Sequence, residues 1–297
     1  MSEAEKDLSL APDGAIHEPL KRNNYAPGML LGIDATRREQ DYHRRRLTRQ
    51  QYWLHGAGTV CGLAVSSSGR KPDQPQDSAR TRLLISPGFG IDGLGRELTV
   101  HEPYCIDLGA WLEAERDTAE GQRRLLEGTL IEAGELWLTV TMRYQDCESG
   151  LQPVLADKVN AGTDPVDAAR ISDSVLFELV AELPGEDAGY RPWAGLPGAA
   201  KPPLTEDEKL HMDKLKAADK KRVTLQAGLM YVLPPQDEAL QLDAALDQLA
   251  RTPLARVRIP LRADGTAHVN IDTIGINNLV RHFITTAGQL AWLATQK

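Results

Sequence analysis

Residues 135–144, ELWLTVTMRY, alternate without a break. Leu136, Leu138, Val140 and Met142 fall on one side; Trp137, Thr139, Thr141 and Arg143 fall on the other. A repeat of two is the repeat of a strand with one face on a core. SDSVLFELVAEL, residues 172–183, reads as a second such strand. Strands with one dry face belong to antiparallel sheets, whose other face meets water or another layer. The chain must therefore build at least one antiparallel sheet, and its other segments must cover or extend it.

Shorter runs add to that sheet. TVCGLAVSS alternates, with Val60, Gly62 and Ala64 on one side and Cys61, Leu63 and Val65 on the other. TRLLISPGFGID and RELTV flank DGLG, a hairpin turn signal. Further on, VTLQAGLMYVL and ARVRIPL read as strands, and RADGTAHVNID adds a turn and another strand.

Helical signals lie between and around these runs. From Asp34, the expected N-cap, to His55 there is no Gly or Pro. On that helix Leu47, Gln50 and Leu54 share one face, with Tyr42 and Trp53 near its edges, and Gly56 and Gly58 end it. CIDLGAWLEAERDTAEGQRRLLEG has helical spacing in its middle. TEDEKLHMDKLKAADKKR opens on Thr205 as N-cap with acids behind it and ends in Lys and Arg, the order a helix dipole favours. DEALQLDAALDQLAR is amphipathic, and NNLVRHFITTAGQLAWLAT reads as a final helix.

The expected fold is α+β: a mainly antiparallel β domain preceded by a long Arg-rich helix, with a smaller mixed α/β C-terminal region. The expected divisions are a flexible arm over 1–28, a helix plus β domain over 29–183, a Pro/Gly-rich linker or loop over 184–204, and the mixed region over 205–297. Residues 184–204 hold five Pro and four Gly.

Charge excludes some functions. The net charge of -8 disfavours nucleic acid and anionic membrane, which need cations. No apolar run is long enough to span a membrane. The polar, acidic N-terminus has no Sec-type apolar region, so the expected location at synthesis is the cytoplasm. Cys61, Cys105 and Cys147 are an odd count at wide spacing; reduced thiols are the simplest reading, and one disulfide stays open if the product leaves the cell.

LHGAGTVCGLAV, residues 54–65, resembles a glycine-rich phosphate loop at first sight. A dinucleotide loop runs strand, glycines, helix, so that helix amides face the phosphate. Here a helix comes first and a strand leaves, and the spacing of Gly56, Gly58 and Gly62 is not G-x-G-x-x-G. The glycines are expected to cap the helix and to let backbones approach. No cofactor is implied. His101 and Cys105 make only half of a structural zinc pattern, so no metal site is expected and the thiols read as buried. No G-x-S-x-G occurs, and Cys61 in a strand pattern beside His43 or His55 reads as inert. No catalytic residue is assigned.

Arg37, Arg38, Arg44, Arg45, Arg46 and Arg49 lie in one helix with Asp34, Glu39 and Asp41. Six arginines so close cannot all share one solvated face. They are either paired internally or they meet an acidic partner. Trp53, at the helix exit, is a candidate anchor for such an interface or a core aromatic.

The joined pattern of PGMLLGIDATRREQDYHRRRLTRQQYWLHGAGTVCGLAVS, LLISPGFGIDGLGRELTV, LWLTVTMRYQDCESGLQPV and ARISDSVLFELVAELP resembles a family of proteins encoded with phage-tail-like contractile particles. These are extracellular contractile injection systems and related baseplate or tail-fibre assemblies. The matching positions are His55, Gly56, Gly58, Val60, Gly62, Leu63, Pro87, Gly88, Ile91, Asp92, Gly95, Arg96, Glu97, Arg143 and Tyr144, within residues 25–183. The resemblance implies a non-enzymatic structural or assembly subunit, oligomeric in its particle, that is released with it and touches other subunits. The six arginines and Trp53, read above from the helix itself, are the expected partner-binding residues for such a subunit, aided by the N-terminal arm. Two rivals stand beside it. A carbohydrate- or surface-binding tail-fibre module would use Tyr190 and Trp193. A particle-borne hydrolase or cargo would need a pocket around Cys61, His55 or His101.

Overall fold

The computed structural model describes residues 20–28, 30, 32–69, 81–153, 166–185, 204–229, 249–269 and 272–296. Most of the expected arm and linker, Tyr190, Trp193 and residues 230–248 lie outside the described residues. The fold is α+β with antiparallel sheets, as the alternating runs require.

The first helix, α1, spans Ile33–Leu54. Its N-cap is Gly32, not Asp34; Asp34 lies in the first turn, where its charge suits the helix dipole. The helix ends as expected at Gly56, which turns left-handed (φ 72) and donates its amide to Gln51 at 3.2 Å.

The run at 59–67 is two strands, not one. β1 spans Gly58–Gly62 and β2 spans Val65–Ser68. Between them Gly62 and Leu63 both take left-handed φ, 63 and 56. This resets the pleat, so Leu63 is buried while Cys61 is exposed. The strands facing them break at the same level: β3 is Arg82–Ile85 and β4 is Gly88–Ile91, separated by Ser86 and Pro87. A bent double strand results. Its corner needs two glycines, because a Cβ on Gly62 would sit 2.1 Å from the Pro87 carbonyl oxygen and one on Gly88 2.4 Å from that of Cys61.

β5 (Glu97–Val100) pairs with β4, giving the sheet β1-β4-β5; β6 (Tyr104–Asp107) pairs with β3, giving β2-β3-β6. Two short helices follow, α2 (Leu108–Arg116) and α3 (Ala119–Glu127), capped by Asp107 and Thr118. A two-residue strand β7 (Thr129–Leu130) leads to β8 (Glu135–Pro153), which pairs with β9 (Val166–Ala181). Leu138, Val140 and Met142 are fully buried, on the face that the alternation marked.

The C-terminal region completes this sheet. After α4 (Glu206–Asp213) and α5 (Ala217–Leu229), β10 (Thr252–Pro260) lies on the other side of β8 from β9, and β11 (Gly275–Asn277) lies outside β10. Thr205 caps α4 in a full capping box. Three expectations fail here. Residues 223–229 of the supposed strand VTLQAGLMYVL continue α5. The turn at Arg262–Gly265 forms, but among the described residues of the strand expected after it there is a single bridge, Leu261 to Ala267. The final helix is α6 (Ala287–Thr295) alone, started by a Thr286 capping box.

Residues 278–284 instead form a strap over the bent corner. The Asn278 side chain accepts from the Val65 amide at 2.9 Å and donates to its carbonyl at 2.8 Å, as a neighbouring strand would. Arg281, 5% exposed, donates to the Leu63 carbonyl at 2.6 Å and to the Asn278 side chain. The Thr59 amide donates to His282, and the Ile284 amide donates to Thr59. One core joins these parts, with Leu63, Leu83, Ile85 and Leu98 packed with Leu138, Met142, Leu254 and Ile259.

Candidate interaction surface

α1 touches the sheets along a narrow line. Of its 22 residues only Thr48 and Tyr52 are buried. Both rest on the turn between β4 and β5, Asp92 to Arg96, where a Cβ on Gly95 would meet the Thr48 carbonyl oxygen at 2.3 Å. That turn is rigid. Asp92 is wholly buried; its carboxylate accepts from the amides of Leu94 (2.9 Å) and Arg96 (2.8 Å) and from Arg96 Nε at 2.7 Å. Burial pushes the Asp92 carboxyl above the usual carboxylate range, while Arg96 and the two amides act against that shift. The stretch from Ile91 to Glu97 is thus a seat for α1.

Arg96 carries the contact outward. Its guanidinium lies 5.1 Å from the Tyr144 ring centre, a cation–π pair. The Tyr144 hydroxyl lies 2.6 Å from a carboxylate oxygen of Asp146 and 2.6 Å from one of Asp173. These aspartates oppose each other across β8 and β9, a like-charge pairing that costs a sheet stability. Burial first, then both carboxylates, push the Tyr144 phenol well above its ordinary pKa.

Beyond Met142, β8 has lost its β10 neighbour and continues with β9 as a two-stranded ribbon. Asp146, Cys147 and Glu148 are exposed on it, and Tyr144, Asp146 and Glu148 share one face by alternation. Two strands alone are marginal in water. A cleft separates the ribbon base from α1, lined by Arg44, Leu47, Thr48, Arg96, Tyr144 and Asp173.

The expected docking residues divide along α1. Arg37, Arg38 and Arg46 are exposed; Arg44, Arg45, Arg49 and Trp53 are half-buried. Arg44 pairs with Asp41 at 3.4 Å. Trp53 packs edge-on against Tyr52, ring centres 5.2 Å apart. The stripe of Leu47 and Leu54 faces solvent, at 51% and 69% exposure. Burying one such leucine is worth about 1.5–3 kcal/mol, so this face gains most from a cover.

The thiols depart from expectation. Cys61, Cys105 and Cys147 are all free and exposed, not buried: Cys61 through the corner, Cys105 on edge strand β6, Cys147 on the ribbon. Among the described residues no three His, Cys, Asp or Glu side chains are placed to hold a metal. No described helix is long and apolar enough to cross a membrane. The sequence signalled the arginines, but not the acidic ribbon or the strap around Arg281, because both depend on partners far away in the chain.

No protein-family model matches this chain, and no curated protein matches it.

Proposed function

We propose that this protein is a non-enzymatic structural or assembly component of a phage-tail-like contractile injection particle, made in the cytoplasm and carried out only with the particle. It docks to neighbouring subunits through its N-terminal arm and through α1, with Arg37, Arg38, Arg44, Arg45, Arg46, Arg49 and Trp53 as the contact set. The observation that carries this reading is α1 itself: a 22-residue helix rich in arginine that buries only two residues on its own chain. A helix about 33 Å long that leaves Arg37, Arg38, Arg46, Leu47 and Leu54 exposed keeps those positions for contact. Gly56, Gly58 and Gly62 support the same reading, since their roles are a helix end and close backbone approach.

The test is incorporation. Arg37→Glu with Arg38→Glu and Arg46→Glu, all at exposed positions, should leave the isolated fold unchanged by circular dichroism and remove the protein from purified particles, as read by mass spectrometry. Incorporation at the parent copy number would overturn the docking role.

A further inference from the structure

α1 has a second face that the arginine count alone does not reveal. Ile33, Gln40, Leu47 and Leu54 recur every seven residues. On a 3.6-residue helix they form a stripe that drifts from about 80° to about 140° round from the Thr48–Tyr52 line. Ile33 is 68% exposed, and Leu47 and Leu54 are exposed as noted above. Thr36, His43 and Gln50 interleave at the complementary spacing. Arg37 and Arg44 border the stripe on one side, and Arg46 borders it on the other. Ile33, Leu47 and Leu54 supply one row of aliphatic side chains for a two-helix seam, and the polar Thr36, Gln40, His43 and Gln50 beside them set its register at a cost in stability.

Charge selects the other half. With six arginines against Asp34, Glu39 and Asp41, α1 carries +3. A second α1 would set like charge against like charge, which opposes pairing. A helix with carboxylates on both margins would meet guanidinium groups, which bind carboxylates in a planar, two-bonded geometry. We infer that α1 receives an acidic amphipathic helix from another subunit, laid along Ile33–Leu54 with its leucines or isoleucines against Leu47 and Leu54. This names the partner chemistry for the docking role proposed above and rests on it.

The experiment uses the full chain and a synthetic helical peptide of about three heptads, with Leu at the core positions and Glu on both margins. A matched peptide carries Lys in place of Glu. Fluorescence anisotropy should show the Glu peptide binding about tenfold tighter or better, with affinity falling as salt rises. Leu47→Asp with Leu54→Asp, both at exposed positions, should weaken it about tenfold or more at unchanged circular dichroism. Arg44→Glu with Arg46→Glu should reverse the preference between the peptides. Equal affinity for both peptides, or a seam variant that binds like the parent, would overturn the inference. So would self-association of the full chain that the Leu47→Asp and Leu54→Asp exchange abolishes, because a second copy would then be the occupant. If the arginine variant leaves the particle but neither peptide binds, docking stands and the acidic helix fails.

Discussion

Three alanine substitutions separate the reasons for glycine at the end of α1 and at the bent corner. Gly56 has φ 72, and a Cβ added there would have nothing within 4 Å, so Gly56→Ala meets only the left-handed backbone cost. That cost is about 1–2 kcal/mol. Gly88 has no positive φ, but its Cβ would lie 2.4 Å from the Cys61 oxygen and 2.5 Å from the Leu63 nitrogen. Both obstacles are backbone atoms, so strands β1 and β4 must part. Overpacking in a rigid place costs about 1–3 kcal/mol and here should reach the upper end. Gly62 combines φ 63 with a Cβ 2.1 Å from the Pro87 oxygen, so Gly62→Ala should cost about 2–5 kcal/mol, the sum of both. Equilibrium urea unfolding, followed by tryptophan fluorescence, gives the order Gly62, then Gly88, then Gly56. A Gly62→Ala variant as stable as Gly56→Ala would refute the close-crossing argument and reopen the stretch to a ligand role.

Further outcomes concern the seat, the ribbon and the thiols. Asp92→Ala should destabilise by about 3–5 kcal/mol in the same urea assay, because it removes the carboxylate that the buried Arg96 guanidinium and the turn amides bond to. The raised Tyr144 pKa means that the folded state keeps a proton the unfolded chain releases. Its stabilising contribution is therefore complete below the ordinary tyrosine pKa of about 10 and is lost as pH rises beyond it. Tyr144→Phe should flatten the fall in urea midpoint between about pH 9 and pH 11; an unchanged slope would count against the proton held between Asp146 and Asp173. A thiol reagent added to native protein should titrate Cys61, Cys105 and Cys147 without denaturant, and a shortfall would contradict their exposure.

Legibility in the sequence follows locality. The alternation at 135–144 and 172–183 is readable because burial on one face is written at every second position, and β8 and β9 carry it. Thr205 and Gly56 are readable because caps act over one helical turn. The pleat break at Gly62 and Leu63 is not, since the left-handed φ of Leu63 is held by Arg281 from far along the chain. That break, together with the irregular β1–β4 register between Thr59 and Cys61, puts Leu63 in the core and Cys61 in solvent. VTLQAGL reads as a strand because Val and Thr lean that way, yet the helix started upstream at Ala217 runs through them. Of the interaction surface, the arginines are visible as composition. The seven-residue stripe, though also written in the sequence, gains meaning only once Thr48 and Tyr52 are known to be the inner face.

The strap ties together residues that leave the ribosome far apart in time. Val65 and Asn278 are 213 positions apart. At about 5–20 residues per second, the bent corner waits roughly 10–40 s for the side chain that closes its open edge. Until then Leu63 and β2 have no lid, and β8 lacks the neighbour that Thr252–Pro260 supplies. The nascent chain therefore keeps these edges open until Thr252–Arg281 have been made, which makes truncation or stalling ahead of them the event most prone to send it into aggregates.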